Sequence, residues 1–220
     1  MADGTGLPKV HETVVHMLMD AAQRSPDSVA LTAGDTALSY RDYAGSVGNL
    51  AARLAASGAR GGRVALVMGN SIDMAIAMFA IHAAGAQAVP VNPLYIAREV
   101  QYILSDAAPA ATIHDTGVAN LLSPLRDTGT RIASGGTDFV THGQTALPQP
   151  LPAADDLATL QYTGGTTGYP KGVNITHRQM SVNISQREAI LPTQADAERI
   201  VCVMPLFHVF AVSMCLHLAC

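Results

Sequence analysis

The sequence has 220 residues, of which 49% are hydrophobic and only 14% are charged. This composition excludes an intrinsically disordered chain and allows a sizeable core in one or two domains. The 13 basic and 17 acidic side chains leave a formal net charge of −4. Because the sequence also has no Lys/Arg cluster, it argues against nucleic-acid binding.

The N-terminal part of the chain predicts helices with recognisable ends around a hairpin. Apolar residues repeat at helical spacing from about Thr13 to Arg24, and Ser25-Pro26 ends this helix. Two short apolar runs on either side of Gly34-Asp35 predict a β-hairpin. Ser39 can cap a second helix, which ends near Ser57-Gly58.

Strands and helices then alternate. Short apolar runs predict buried strands, and the capped segments between them predict helices. The predicted elements are strands at 63–68, 87–91 and 110–114 and helices at 72–84 and 97–107. This order predicts an α/β fold with mostly parallel sheets and flanking helices.

A Gly-, Thr- and Pro-rich segment from Gly135 to Pro152 predicts a surface linker. We therefore expect a first α/β subdomain at residues 1–134, a linker at 135–153 and the start of a second α/β subdomain at 154–220. The second segment begins with a predicted strand at 157–162 and continues with a helix from about Thr176.

An uncharged stretch from Ile200 to Cys220 reaches the length of a transmembrane helix. Pro205 interrupts it, and His208 and His217 lie within it. We therefore expect a buried strand at 200–204, a turn and a buried helix rather than a membrane span.

The chain has three cysteines, Cys202, Cys215 and Cys220, without a CxxC spacing. An odd number of this kind favours a reduced, cytoplasmic setting in which the cysteines are packing residues. The first residues lack the basic start and the apolar run of a secretion signal.

The most informative segment is a Gly/Thr loop directly after the strand at 157–162. Its glycines allow tight turns and let several N–H groups point at one anion. Its threonines add hydroxyls that can also ligate Mg²⁺, and its lysine adds a mobile cation. The predicted polyphosphate-binding residues are Thr163, Gly164, Gly165, Thr166, Thr167, Gly168 and Lys171.

This loop differs from a Walker A loop in its last positions. Pro170 precedes Lys171, and Gly172 follows it where a Walker A loop has Ser or Thr. Pro170 forbids a continuous helix there, so the loop must work differently from a strand–loop–helix phosphate site. The alternative is a solvated Gly/Thr turn, which this composition directly after an apolar strand disfavours.

The string from Tyr162 to Gly172, Tyr-Thr-Gly-Gly-Thr-Thr-Gly-Tyr-Pro-Lys-Gly, resembles the phosphate-binding signature of the adenylate-forming superfamily. That superfamily includes acyl- and aryl-CoA ligases, peptide-synthetase adenylation domains and luciferases. It usually has Ser or Thr at the position of Gly164, so one hydroxyl is lost here. Segments 38–43, 83–93 and 204–211 resemble further superfamily motifs, and residues 92–95, Asn-Pro-Leu-Tyr, resemble the CoA-ligase version.

The resemblance covers residues 11–220 and is closest to bacterial long-chain fatty-acid–CoA ligases. It implies a partial large N-terminal domain, with Thr163 as a Mg²⁺ ligand and the loop from Gly164 to Gly168 around the phosphates of ATP. It places Lys171 near the β- and γ-phosphates, and His208 where the acyl pocket meets the thioester-forming site. The implied substrates are a fatty or other carboxylic acid, ATP with Mg²⁺, and CoA.

The later motifs of the family do not occur in these 220 residues. They are the adenine-binding segment with its Mg²⁺-binding Glu, the ribose-binding Asp, the hinge and the Lys of the small C-terminal domain. We therefore expect the N-terminal part of a fatty-acid–CoA ligase, inactive by itself, whose partner is the missing C-terminal remainder. The alternatives are an inactive truncated remnant or partner-binding fragment, and an adenylation module that loads a carrier protein.

The resemblance also implies a cellular location, and it separates His208 from the other histidines discussed here. The expected location is the cytoplasm, with peripheral contact with the inner membrane left open. His82, His177 and His217 match no catalytic motif, so we expect them to be structural or exposed.

Overall fold

The computed structural model describes residues 8–135, 139–143, 145–164, 170–194 and 198–220. The strands are β1 (Val29–Ala33), β2 (Thr36–Ser39), β3 (Arg63–Val67), β4 (Gln87–Val91), β5 (Ala111–His114), β6 (Thr130–Ala133), β7 (Leu157–Thr163) and β8 (Lys171–Thr176). The helices are α1 (Val14–Arg24), α2 (Tyr40–Ala56), α3 (Ile72–Ala83), α4 (Ala97–Ala107), α5 (Ala119–Leu122), α6 (His177–Ile190) and α7 (Val209–Ala211). A 3₁₀ turn at Thr116–Val118 and a π-helical turn at Val212–His217 complete the regular structure of these residues.

Within the described residues, six strands form one sheet in the order β6-β5-β3-β4-β7-β8, and β1 and β2 form a separate antiparallel hairpin. Neighbouring strands of the large sheet are parallel, except that β7 and β8 are antiparallel. This arrangement confirms the predicted α/β fold with a mostly parallel sheet. Both predicted subdomain segments contribute strands to the sheet, and the division at residues 135–153 stays a prediction.

The sheet is covered on both faces, as a buried parallel sheet requires. Strand β3 shows the alternation, because Val64 and Leu66 pack in one apolar cluster while Ala65 and Val67 pack in the other. The first cluster contains the buried faces of α1, α2 and α3, and the second contains that of α4. The two clusters fix the sheet between helical layers and thereby fix where its strand ends lie.

The predicted helix starts are confirmed by side-chain caps. Ser39 accepts a hydrogen bond from the Asp42 N–H at 3.1 Å, and Ser71 accepts one from Met74 at 3.0 Å. Such caps satisfy N–H groups that have no partner within the helix. With Ser71 as the cap of α3, the neighbouring Asn70 is left for contacts elsewhere.

Part of the predicted surface linker packs closely against α2. Phe139 is fully buried, and Ser46 of α2 accepts a hydrogen bond from the Thr141 N–H at 2.9 Å. A Cβ added at Gly45 would lie 1.9 Å from the Gly143 carbonyl oxygen. The glycine in α2 is therefore required by the close approach of this segment.

The prediction of a strand at 200–204 was wrong. These residues form no strand in the part of the chain that the structure describes, and the side chains of Val201 and Val203 are 80% and 82% exposed. A strand needs a neighbouring backbone to pair with, and β-branched residues alone do not supply one. The predicted turn and helix do follow, as α7 and the π-helical turn. None of the helices in the described residues is long and apolar enough to cross a membrane.

Candidate active site at the carboxyl edge of the sheet

The carboxyl ends of the parallel strands meet at one edge of the sheet, where open α/β folds bind ligands. The loop after β3 contains Gly69 and Asn70, and β5 is followed by Asp115. Asp115 joins these loops, because it accepts a hydrogen bond from the Gly69 N–H at 2.8 Å and one from the Ser134 hydroxyl at 3.2 Å. Strand β7 ends at the same edge with Thr163.

The predicted phosphate loop connects β7 to β8 as a hairpin. Thr163 and Lys171 are cross-strand partners, and the Thr163 hydroxyl donates to the Lys171 carbonyl at 3.5 Å. Both side chains are exposed. The loop thus joins two strands, which confirms that it differs from a strand–loop–helix site. Gly165, Thr166, Thr167 and Gly168 were also predicted site residues, and they lie outside the described residues.

The base of this hairpin is anchored to the rest of the domain by Tyr162. The Tyr162 hydroxyl donates to the carboxylate of Asp106 at the end of α4. Burial, reinforced by this hydrogen bond, raises the pKa of Tyr162, so the phenol stays a neutral donor. Gly172 faces Tyr162 across the hairpin, and a Cβ there would lie 2.9 Å from Leu160 Cδ1. Sequence reasoning did not find the Tyr162–Asp106 contact, because the two residues are far apart in the chain.

The segment that carries His208 lies against β7. Gln161 Nε2 donates to the Phe207 carbonyl at 3.3 Å, so the residue before His208 touches the strand that leads into the phosphate loop. Gln161 Oε1 is buried and has no hydrogen-bond partner among the described residues. Through Gln161 the structure brings together two motifs that the sequence separates.

Asn70 fixes the other end of the same segment. Its Nδ2 donates to the Met204 carbonyl at 2.9 Å, and its Oδ1 accepts from the Leu206 N–H at 2.7 Å. The paired donor and acceptor of one amide side chain therefore hold both sides of Pro205. Sequence reasoning did not find this role of Asn70, because the segment it binds lies far away in the chain.

His208 itself is exposed and begins α7. Its Nδ1 accepts a hydrogen bond from the Phe210 N–H at 3.3 Å, which leaves Nε2 directed away from that contact. In a neutral imidazole whose Nδ1 is an acceptor, the proton is on Nε2, so the Nε2–H can act as a hydrogen-bond donor. The side chain is thus oriented by its own backbone rather than buried as a core histidine.

An apolar cavity of about 360 Å³ lies between α6 and the turn formed by α7 and the residues after it, and Val209, which directly follows His208, lines it. Its lining includes Ile175, Met180, Val209, Phe210 and Met214. The cavity is suited to a small apolar group rather than to a charged one.

The described residues contain no group of three or more His, Cys, Asp or Glu side chains that could hold a metal ion. Magnesium prefers oxygen ligands and keeps several waters, and it is often bound through substrate phosphates. The exposed hydroxyl of Thr163 fits such a site as one oxygen ligand beside a nucleotide.

Comparison with known proteins agrees with this geometry. The sequence profile of the family described as "AMP-binding enzyme" matches residues 18–220. The chain belongs to the AMP-binding enzyme family. It is similar over most of its length to curated members of that family and to solved structures.

Two curated relatives illustrate the range of this similarity. The isonitrile lipopeptide synthase of Mycobacterium tuberculosis is 33% identical over 193 residues, which are 86% of this chain and 7% of that protein. The long-chain-fatty-acid–CoA ligase of Salmonella typhimurium is 31% identical over 249 aligned positions, covering 94% of this chain and 44% of that protein. The chain therefore spans less than half the length of these relatives.

A solved structure shows the same fold. The N-terminal domain of FACL13 from Mycobacterium tuberculosis superimposes with a TM-score of 0.82 at 28% identity, covering 95% of this chain and 55% of that one. The resemblance to adenylate-forming enzymes and their N-terminal domains is thereby confirmed.

Proposed function

We propose that this chain is the N-terminal part of an ATP-dependent fatty-acid–CoA ligase. The enzyme activates a carboxylic acid as acyl-AMP and transfers the acyl group to CoA. The observation that carries the proposal is the β7–β8 hairpin, which presents Thr163 and Lys171 at the carboxyl edge of the sheet. The similarity to the Salmonella long-chain-fatty-acid–CoA ligase supports the same substrate class.

In the first step a carboxylate oxygen of the acid attacks the α-phosphorus of ATP. A new P–O bond forms, the bond to the β-phosphate oxygen breaks, and pyrophosphate leaves. The charge on the leaving group grows during this step, so fixed positive charge and donors beside it lower the barrier. Lys171 supplies the charge, Thr163 supplies a hydroxyl, and the glycines of the loop allow backbone N–H groups to approach. Thr163 would also hold Mg²⁺, which neutralises phosphate charge when bound.

In the second step the CoA thiol attacks the acyl carbonyl and AMP leaves. His208 directly precedes Val209 and Phe210, which line the apolar cavity, and this cavity suits the hydrocarbon part of an acid. The exposed Nε2 of His208 can donate to the carbonyl oxygen as negative charge develops there. The proposal puts the activity in the cytoplasm, where ATP and CoA are available, and leaves peripheral contact with the inner membrane open.

An adenylation module that loads a carrier protein is the second candidate. The 33% identity to the isonitrile lipopeptide synthase favours it, whereas the Asn-Pro-Leu-Tyr motif at residues 92–95 resembles the CoA-ligase form. The acceptor thiol distinguishes the two, because a ligase forms acyl-CoA from free CoA and a loading module requires a carrier protein.

The test is ATP–pyrophosphate exchange in a full-length version of the protein with a fatty acid as substrate. We expect Lys171→Ala and Thr163→Ala each to lower exchange by ~10²-fold, the ordinary loss for one electrostatic contact. Lys9→Ala is the matched control, because Lys9 is exposed and pairs with Asp20 at 3.2 Å on the surface near α1. Normal exchange in both site variants would contradict the proposal.

A further inference from the structure

The segment that leads to His208 has no helix or strand of its own among the described residues 198–208. Val201 and Val203 are largely exposed, whereas Leu206 is buried. A segment without a regular hydrogen-bond ladder takes its position from the groups that satisfy its backbone. The position of His208 therefore depends on contacts that other elements make with the residues before it.

Asn70 makes three of these contacts with one side chain. Its Nδ2 donates to the Met204 carbonyl at 2.9 Å and to the Cys202 carbonyl at 3.4 Å, and its Oδ1 accepts from the Leu206 N–H at 2.7 Å. Carbonyls can only accept and N–H groups can only donate, so these partners also fix the orientation of the amide. One side chain thus ties residues 202–206 to the loop after β3.

Asn70 is itself built on a fixed base. The Gly69 N–H donates to the Asp115 carboxylate at 2.8 Å, which ties the preceding residue to the end of β5. The following residue, Ser71, caps α3 by accepting from the Met74 N–H at 3.0 Å. The main chain is therefore held on both sides of Asn70, and a side chain supported in this way can fix the position of a neighbouring segment.

The contacts of Asn70 continue to His208 through a tight turn. The His208 N–H donates to the Pro205 carbonyl at 2.9 Å, and Pro205 lies between the two residues that Asn70 binds most closely. The Phe207 carbonyl accepts from Gln161 Nε2 at 3.3 Å, which adds a second anchor on β7. A shift of the residues held by Asn70 would therefore move the turn and His208 with it.

We propose that Asn70 is a positioning residue for the second half-reaction, because it holds the Pro205 turn where the Nε2–H of His208 can reach the acyl carbonyl. The inference rests on the proposed function, in which His208 donates to that oxygen. Asn70 acts through His208 and needs no contact of its own with the acid or CoA. Since a displacement of about 1 Å can cost about a hundredfold in rate, loss of the amide should be clearly measurable.

The experiment compares Asn70→Ala, His208→Ala and the double variant in a full-length version of the protein. Thioester formation is measured from added acyl-AMP and CoA. We expect Asn70→Ala to lower its kcat at least about tenfold, with KM for CoA and ATP–pyrophosphate exchange changed less than about twofold, because a misplaced donor weakens binding of the transition state alone. In the His208→Ala background the same substitution should cost less than about twofold more, since coupled residues are not additive.

Gln101→Ala is the matched control. Gln101 on α4 also joins its amide to the backbone of a distant segment, because it accepts from the Arg126 N–H at 2.9 Å and donates to the Arg126 carbonyl at 3.1 Å. None of its recorded hydrogen bonds reaches residues 202–208. We expect its loss to leave both half-reactions unchanged, which separates the role of Asn70 from a general loss of one buttressing amide.

Hydrogen exchange at the Leu206 amide tests the contact independently of the reaction. We expect exchange to be about tenfold faster in Asn70→Ala, the effect of one lost hydrogen bond. The proposal is overturned if this rate is unchanged, if the losses from Asn70→Ala and His208→Ala are additive, or if both half-reactions fall equally. A wild-type protein that forms no acyl-CoA would instead contradict the proposed function, whereas an active wild type with additive losses would contradict only the role of Asn70.

Discussion

At the scale of single residues, the β7–β8 hairpin gives the Gly/Thr loop an ordered base. Thr163 and Lys171 are cross-strand partners, and Tyr162 ties the preceding position to α4. The loop therefore leaves a fixed stem, which is what a site that must position phosphates requires. The glycine at position 164 is the point at which this chain departs from the superfamily pattern.

Gly164→Ser should improve the phosphate site. A Cβ at Gly164 would meet no described atom within 4 Å, so serine fits and adds the hydroxyl that the superfamily usually has. In the full-length protein we expect the KM for ATP in pyrophosphate exchange to fall about two- to tenfold, the effect of one added hydrogen bond. Gly164→Ala is the control, since it adds the Cβ without the hydroxyl. Equal behaviour of the two variants would contradict the prediction.

His208→Ala should affect the second half-reaction more than the first. His208 directly precedes Val209, which lines the apolar cavity, and lies outside the β7–β8 hairpin. We expect thioester formation from added acyl-AMP to fall at least about tenfold more than ATP–pyrophosphate exchange, because a positioned donor to the carbonyl is lost. His142→Ala, at another exposed histidine, serves as the control. Parallel losses in both half-reactions would rule out this role.

At the scale of elements, three buried histidines join α3, α6 and the π-helical turn. The ring of His82 lies 5.2 Å from that of His177 and 5.9 Å from that of His217. The His217 ring also packs edge-on against Phe79 at 5.2 Å. Burial, the largest cause for each, lowers the pKa of His177 to about 4 and of His217 to about 3, and that of His82 well below its ordinary value. All three are therefore neutral core residues at neutral pH.

This cluster predicts a loss of stability in mild acid. The ordinary pKa of histidine is 6.5, so between about pH 6.5 and 4 the unfolded chain binds more protons than the folded one. The free energy of unfolding should thus fall as the pH falls, by up to about 1.4 kcal/mol per pH unit for each histidine. The measurement is urea unfolding at several pH values.

Two substitutions, one within the cluster and one outside it, test whether the buried histidines cause the acid sensitivity. His217→Leu removes one titrating group while keeping an apolar contact with Phe79, so it should flatten the dependence between pH 6.5 and 4. His208→Ala, at an exposed position, should leave the slope unchanged. An unchanged slope in His217→Leu would show that the acid sensitivity arises elsewhere.

At the scale of the whole molecule, several large apolar side chains near α6 and α7 are exposed. They lie at the end of α6, in the segments that follow it and precede α7, and in α7 itself, and β8 is the last strand of the sheet within the described residues. They include Ile190, Leu191, Val201, Val203 and Phe210. Exposed apolar side chains and an exposed sheet edge each favour association with other chains.

The isolated 220-residue chain should therefore associate in solution. It should also make no acyl-CoA, because the proposed site is incomplete in these residues. The proposed phosphate site would contact only part of ATP, so the affinity of this chain for the nucleotide should also be low. Size-exclusion chromatography, ATP binding and CoA-thioester formation are the measurements. The double substitution Val201→Thr and Val203→Thr should shift the chain toward the monomer, whereas Val29→Thr, at an exposed apolar position elsewhere, should not. Normal turnover from a clean monomer would contradict the prediction.

The elements from α1 to β5 could be predicted closely because their signals are local. Thr13, Ser39 and Ser71 cap the helices that follow them, and α4 has the predicted bounds at both ends. Caps, turn glycines and apolar periodicity act within a few residues, so they can be recognised without the rest of the fold. The composition of the Gly/Thr loop likewise predicts anion-binding chemistry, since backbone N–H groups, hydroxyls and a cation together favour an anionic ligand.

Other features were decided only by the tertiary structure. Strands β6 and β8 exist because a neighbouring strand accepts their backbone hydrogen bonds, while the more β-prone residues at 200–204 have no such neighbour and form none. The contact between Gln161 and Phe207 and the packing of the three buried histidines also join distant parts of the chain. Pairing and burial depend on what lies opposite a residue in space, and that neighbour is chosen by the packing of the whole domain.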